Sequence, residues 1–131
     1  MKGIGILLYH SVGRVDPRDT LGIRIDEDGF FEQMRSLKER DYSVLTLKDA
    51  VSLIAGNGEA PERAVVITFD DGYKDNLVAA APVLERFGFR ATFFVTTGYI
   101  GSVKTSPKRE WRDGSAWIIE TFLNWPRGAM I

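Results

Sequence analysis

The feature that most constrains the fold is an unbroken apolar run at residues 64–67, which reads AVVI. The run is short, it is rich in β-branched residues and it has no polar position. A segment of this kind suits a strand that is buried on both faces, as the strands of a parallel sheet are. The run therefore predicts a central strand of a parallel sheet.

Strand-like and helix-like segments alternate along the chain on both sides of this run. Apolar segments predict strands at 3–9, 42–45 and 91–95, and helical spacing predicts helices at about 28–40, 46–55 and 75–87. Asp26 and Thr46 stand where helix N-caps are expected, and Pro82 predicts a kink in the third helix. A polar loop follows His10, and residues 21–25 read as a short extended piece. This alternation predicts an α/β fold with a parallel sheet.

Composition excludes several classes of function. The 131 residues suffice for one domain, and the 17 basic and 18 acidic residues leave no basic bias toward nucleic acid or an anionic membrane. No apolar stretch is long enough to span a bilayer, and the absence of cysteine excludes disulfides and thiolate metal sites. We interpret residues 3–9 as a strand rather than a signal peptide. The chain as given is therefore expected to be cytoplasmic.

Two adjacent carboxylates, Asp70 and Asp71, follow the apolar run within the sequence TFDDG. The exit of a buried parallel strand is where α/β folds usually carry their chemistry. Paired carboxylates there lose solvation and repel each other, so a cation or a function has to compensate. The structural alternative is a strand-to-turn junction in which an aspartate caps the next helix.

Several segments together resemble a known family. The sequence TFDDGY at residues 68–73 is followed by a predicted helix and by ATFFV at 91–95, and LLYHSV stands at residues 7–12. In this order and spacing the segments resemble the polysaccharide deacetylases of the NodB-homology type, carbohydrate esterase family 4. The resemblance covers about residues 4–101.

The resemblance implies a fold, an activity and roles for three residues. It implies a distorted (β/α) barrel that uses a divalent metal, commonly zinc, to remove N-acetyl groups from a polysaccharide containing N-acetylglucosamine. Asp70 would be the catalytic general base and Asp71 a metal ligand. His10 would lie on the floor of the active site, where the structural alternative is a half-buried histidine bonded to backbone carbonyls.

The chain also departs from the family pattern. The family's other metal ligands are histidines of an H-[ST]-x-x-H motif, whereas this chain has one histidine, His10. We therefore divide the chain into residues 1–101, the N-terminal part of a deacetylase-like domain, and 102–131, a segment that matches poorly. We expect a partial barrel from a truncated chain that is incomplete or inactive by itself, since Asp71 alone cannot hold zinc tightly.

Two other functions remain open on the sequence. One is a non-catalytic remnant of the same fold that binds glycans or forms oligomers. The other is a phosphoryl-transfer site with Asp70 as nucleophile and Asp71 as magnesium ligand, which ranks last because no glycine loop for phosphate is present. The resemblance implies a polysaccharide as partner, and the composition predicts neither nucleic acid nor membrane. A partial barrel leaves an exposed sheet edge, so a second copy of the chain is also expected as a partner.

Overall fold

The computed structural model describes residues 3–15, 17 and 21–97. The predicted segment 102–131 lies outside these residues. Within them the elements follow in the order β1 (Ile4–Tyr9), β2 (Ser11–Val12), β3 (Arg24–Ile25), α1 (Glu27–Glu39), β4 (Ser43–Leu45), α2 (Leu47–Ile54), β5 (Ala64–Asp71), a π-helical turn (Asn76–Ala80), α3 (Ala81–Phe87) and β6 (Thr92–Val95). None of the described helices is long and apolar enough to cross a membrane.

The main sheet is parallel and is built around β5. Strand β1 pairs with β5 from Ile4 opposite Ala64 to Tyr9 opposite Phe69. Strand β4 pairs with the first residues of β5, and β6 pairs with its last four. Because a strand has two edges and β1 occupies one of them, β4 and β6 share the other edge in succession. The parallel sheet with flanking helices confirms the predicted partial α/β barrel fold.

The central strand is longer than the apolar run that predicts it. It continues from Ala64 through Asp71, and its first six residues are buried. The added residues belong to the strand because they pair with β6, which brings Asp70 opposite Phe94 and Asp71 opposite Val95. The two aspartates thus occupy the last two positions of the strand, whereas the sequence suggests that they follow it.

One face of the sheet is covered by α1 and α3 and forms the core. Phe30 and Met34 of α1 are fully buried, and they lie four residues apart on one face of the helix. The Phe30 ring contacts Tyr9 edge-on, with 5.1 Å between centroids, and Phe69 stacks on Phe93 at 4.9 Å. Burial of each such side chain is worth about 1.5–3 kcal/mol, so this aromatic cluster contributes substantially to the stability of the fold.

Helix starts follow the capping residues read from the sequence. The Asp26 carboxylate accepts a hydrogen bond from the Gly29 amide at 2.7 Å, which confirms the cap of α1. In α2 the Thr46 hydroxyl accepts from the Asp49 amide at 3.1 Å and donates to the Asp49 carboxylate at 2.6 Å. Both caps satisfy amides that the first turn of a helix leaves without partners.

The third helix differs from the prediction of one kinked α-helix. It opens as a π-helical turn, Asn76–Ala80, and becomes α-helical at Ala81. Pro82 explains the change, because its ring would clash with the carbonyl four residues earlier and it has no amide hydrogen to donate. Widening of the preceding turn avoids the clash. Isolated π turns are often found at functional sites.

Candidate active site

The carboxyl edge, where β1, β5 and β6 end, brings the predicted site residues together. Asp70 and Asp71 are half-buried at the end of β5. Tyr9 is the last residue of β1 and pairs with Phe69, so His10 follows β1 at the level at which Asp70 continues β5. Neighbouring strands lie about 4.8 Å apart, so the backbone of His10 lies beside that of the aspartates across the sheet, as predicted.

The backbone at the aspartates is held in an unusual conformation. Asp71 has a φ of 74°, and Gly72 follows with a φ of 73°. A side chain at Gly72 would place its Cβ 3.0 Å from Cγ1 of Val95, so a glycine is needed for space as well as for conformation. For a non-glycine residue the left-handed region costs about 1–2 kcal/mol, and such strain concentrates at functional sites. The turn that holds Asp71 therefore lowers the stability of the fold.

His10 is half-buried, and its main chain is fixed by a residue that the sequence did not single out. The His10 carbonyl accepts a hydrogen bond from Nδ2 of Asn76 at 2.8 Å. The backbone after β1 is thereby tied to the start of the helix that follows the aspartates. The catalytic-floor role of His10 and the roles of Asp70 and Asp71 as base and metal ligand stay predictions.

Four polar residues, Ser11, Arg24, Asp75 and Asn76, form a connected group beside the carboxyl edge, which we call the Asp75 cluster. The Asp75 carboxylate accepts from the Ser11 hydroxyl at 2.6 Å and from the Val12 amide at 3.2 Å. The Arg24 Nε donates to the Ser11 hydroxyl at 2.9 Å, and an Arg24 terminal nitrogen lies 3.9 Å from the Asp75 carboxylate. These bonds join segments of the chain that are far apart in sequence.

Sequence reasoning missed the Asp75 cluster because its members lie in three separate segments. Asp75 and Asn76 resemble ordinary helix-start residues, and Ser11 and Arg24 lie in stretches that read as loop or as a short extended piece. The structure instead pairs β2 with β3 as a parallel ribbon, with Ser11 opposite Arg24 and Val12 opposite Ile25. The one local signal was the Asp-Asn pair three residues after the TFDDG sequence.

The described residues do not by themselves fit a complete metal site. Among them no group of three or more histidine, cysteine, aspartate or glutamate side chains is gathered closely enough to hold an ion. A catalytic zinc usually has three protein ligands, and the donor set at the carboxyl edge consists of two adjacent carboxylates with one histidine nearby. We therefore derive no chemical step through a metal.

Comparison with known proteins gives a consistent result. The family model for polysaccharide deacetylases matches residues 57–121, a range that includes Asp70 and Asp71. YxkH of Bacillus subtilis (strain 168), provisionally named a polysaccharide deacetylase, is 36% identical over 96 residues, which are 73% of this chain and 33% of that protein. The poly-beta-1,6-N-acetyl-D-glucosamine N-deacetylase of Staphylococcus epidermidis is 32% identical over 107 residues, covering 73% of this chain and 37% of that protein.

A solved structure extends the similarity to the fold. IcaB from Ammonifex degensii aligns with a TM-score of 0.71 and 28% identity, over 79% of this chain and 42% of that one. The chain thus spans about a third of the curated relatives it matches and less than half of IcaB.

Fold and site together define an α/β domain with a carboxylate pair at the carboxyl edge of its parallel sheet. The sequence matches narrow this class. Over the matched residues the chain is similar to polysaccharide deacetylases, which supports the resemblance to the NodB type read from its sequence.

Proposed function

We propose that this chain contributes the aspartate-bearing part of a site that removes N-acetyl groups from a polysaccharide containing N-acetylglucosamine. The observation that carries the proposal is the position of Asp70 and Asp71 at the carboxyl end of the central strand, within the range that the family model matches. Two relatives by similarity, the deacetylases of S. epidermidis and Staphylococcus aureus, are named for poly-beta-1,6-N-acetyl-D-glucosamine, so we propose that polymer as the first substrate to test.

Asp70 is proposed as the general base. Its carboxylate would take a proton from the water that attacks the acetyl carbonyl, and the cleaved products would be acetate and a free amine on the sugar. General-base catalysis of this kind is worth about 10²–10⁴-fold in rate. The half-buried position of Asp70 suits this role, since a base must be reached by water and yet be fixed in place.

Asp71 is proposed as one ligand of a divalent cation, with zinc as the first candidate. A cation held there would supply Lewis-acid chemistry, that is, polarisation of the acetyl oxygen and a more nucleophilic water. The chain has one histidine, so we propose that the remaining ligands are supplied from outside these 131 residues and that the chain alone hydrolyses slowly. The left-handed backbone at Asp71 and Gly72 supports a positioned carboxylate at this point.

The test is acetate release from poly-β-1,6-N-acetylglucosamine oligomers by the chain with added zinc. Asp70→Asn is the informative variant, because it keeps shape and removes the base. We expect its rate to fall to the uncatalysed background. Glu62→Gln is the matched control: it makes the same chemical change at an exposed residue beyond the opposite end of β5, and its rate should equal that of the unmodified chain.

Binding of the same oligomers distinguishes the proposed deacetylation from the non-catalytic, glycan-binding alternative. Oligomer binding by calorimetry that is the same with and without zinc, and the same in Asp70→Asn as in the unmodified chain, would favour a non-catalytic glycan-binding module. Asp70-dependent release of acetate would exclude it. Equal rates in Asp70→Asn and in the unmodified chain would overturn the proposed role of Asp70.

We propose that the outer edge of β1 pairs with a second copy of the chain. Among the described strands, β1 pairs with β5 alone, and its residues Ile6 and Leu8 are 65% and 57% exposed. An unpaired edge flanked by exposed apolar side chains favours pairing with another chain. We expect a dimer or larger assembly in light scattering; a monodisperse monomer would refute the proposal.

A further inference from the structure

Asp75 and Asn76 hold three consecutive residues of the segment that follows β1. Asn76 donates from Nδ2 to the His10 carbonyl at 2.8 Å. Asp75 accepts from the Ser11 hydroxyl at 2.6 Å and from the Val12 amide at 3.2 Å. Asn76 also donates to the Asp75 carboxylate at 3.1 Å, so the two side chains act as one unit. The unit connects the helix after the aspartates to the segment that begins at His10.

Arg24 closes the group from a third direction. Its side chain is 8% exposed and that of Asp75 is 16% exposed, so both charges lie largely out of water. The separation of 3.9 Å and the bond from Arg24 Nε to the Ser11 hydroxyl keep the Asp75 carboxylate neutralised where it lies. A charged hydrogen bond in such surroundings is stronger and more directional than one at the surface. Asp75 is therefore fixed rather than mobile.

Asn76 is a costly residue for this position. It is 0% exposed, and its Oδ1 meets no hydrogen-bond donor among the described residues. A buried acceptor without a partner is destabilising, and an apolar side chain of similar size would avoid that cost. What an apolar residue would not supply is the pair of hydrogen bonds from Nδ2 to His10 and Asp75. Asn76 therefore contributes these two bonds although its own Oδ1 stays buried without a partner among the described residues.

We propose that Asp75 and Asn76 are positioning residues, which fix the His10–Val12 segment so that His10 is held beside Asp70 and Asp71. Asn76 acts on His10 directly through its carbonyl, and Asp75 acts through Ser11 and Val12. The inference rests on the proposed function for its effect on catalysis. The positioning itself is a property of the folded chain and is measured without activity.

The test uses the fact that His10 is the only histidine of the chain. Histidine-selective isotope labelling of the full chain gives one set of imidazole signals, which belong to His10 without further assignment. In Asn76→Ala we expect these signals to move by more than their line width or to split into several conformers. In Asp75→Ala we expect the protection factor of the Val12 amide against hydrogen exchange to fall at least tenfold, because the carboxylate that accepts its hydrogen bond is gone.

Two further variants keep the result interpretable. Asp75→Asn retains the shape of the side chain, so it reports on the bonds even where Asp75→Ala fails to fold, and we expect a smaller loss of Val12 protection. Thr46→Ala removes the cap of α2, which lies outside the cluster. It lowers the melting temperature and should leave the His10 signals and the Val12 amide unchanged.

Catalysis gives the second readout. With oligomer substrate we expect kcat to fall about tenfold in Asn76→Ala with KM within twofold; this fall corresponds to about 1.4 kcal/mol of lost transition-state stabilisation. A folded Asn76→Ala chain with unchanged His10 signals and unchanged kcat would overturn the inference. Equal acetate release by Asp70→Asn and the unmodified chain would overturn the proposed function, whereas the imidazole and exchange measurements still decide the positioning.

Discussion

The helix-covered face of β5 and the carboxyl end of the same strand differ in the polarity of their side chains and in their effect on stability. On the covered face Ile67 and Phe69 are fully buried among apolar neighbours, with no polar group to satisfy. At the carboxyl end, one and two residues after Phe69, the chain holds paired carboxylates, the second of which has a left-handed backbone. A single strand thus passes from residues that stabilise the fold to residues that cost stability. This difference fits the chemical role proposed for the carboxyl end.

The Asp75 cluster extends the same contrast beyond the strand. It contains a largely buried ion pair and a fully buried asparagine with an acceptor that lacks a partner. Buried polar groups of this kind add little net stability compared with apolar packing, but they fix geometry. The apolar core therefore provides most of the free energy of folding, and the Asp75 cluster ties down the segment that begins at His10.

The largest expected effect on stability is at the core. Phe69→Ala removes a ring that stacks between Tyr9 and Phe93 and leaves a cavity, so the free energy of unfolding should fall by about 3–5 kcal/mol in urea denaturation. Phe94→Ala is the matched control on the next residue of β6, where the ring is 49% exposed. Its loss should be within about 1 kcal/mol. Equal losses in the two variants would contradict the assignment of the core to one face.

An intermediate effect is expected at the turn beside the aspartates. Gly72→Ala has to accommodate a φ of 73° and a Cβ 3.0 Å from Val95, so it should cost more than the about 1–2 kcal/mol of the left-handed backbone alone. Gly88→Ala is the control, because Gly88 has a φ of 68° and open space around the new Cβ. The difference between the two unfolding free energies measures the contact with Val95. No difference would mean that this contact yields at no cost.

The smallest effect is a pH dependence at Tyr9, whose ring belongs to the core and whose hydroxyl donates to Gln33 Oε1 at 2.6 Å. Burial raises the pKa of Tyr9 from 10.0 to about 12. The unfolded chain therefore loses this proton first, and the stability linked to Tyr9 is complete below pH 10 and is lost as the pH rises toward about 12. Tyr9→Phe should lack this part of the alkaline loss in urea midpoints measured across that range.

Tyr42→Phe provides the comparison for that measurement. Tyr42 is 36% exposed and lies outside the buried core cluster, so this variant controls for the loss of a tyrosine hydroxyl as such. A parallel decline in the Tyr9→Phe and unmodified chains would show that Tyr9 does not titrate against the fold.

Much of the fold could be predicted from local sequence. The AVVI run identified the central strand, the spacing of Phe30 and Met34 identified α1, and the caps at Asp26 and Thr46 marked where helices begin. These features are local, because periodicity and capping act within a few residues. The length of β5 was underestimated for the opposite reason: whether residues 68–71 extend a strand depends on their pairing with β6, which begins at Thr92.

The site could be predicted in part. Asp70 and Asp71 were recognisable from their sequence, and His10 was expected near them because parallel strands end at the same edge. The Asp75 cluster could not be predicted, since Ser11 and Asp75 are 64 residues apart and neither belongs to a local pattern. Hydrogen bonds between distant segments leave no periodic trace in a sequence.

The sequence by itself determined the resemblance to a family, the alternation of strands and helices and the residues proposed to bear the chemistry. Tertiary structure alone decided that β5 lies between β1 and the β4–β6 edge, that Asp71 adopts a left-handed backbone against Val95, and that Asn76 holds His10. The physical reason is the range of the forces. Backbone preferences and side-chain periodicity are written residue by residue, whereas strand order, steric contact and long-range hydrogen bonds exist only once the chain has folded.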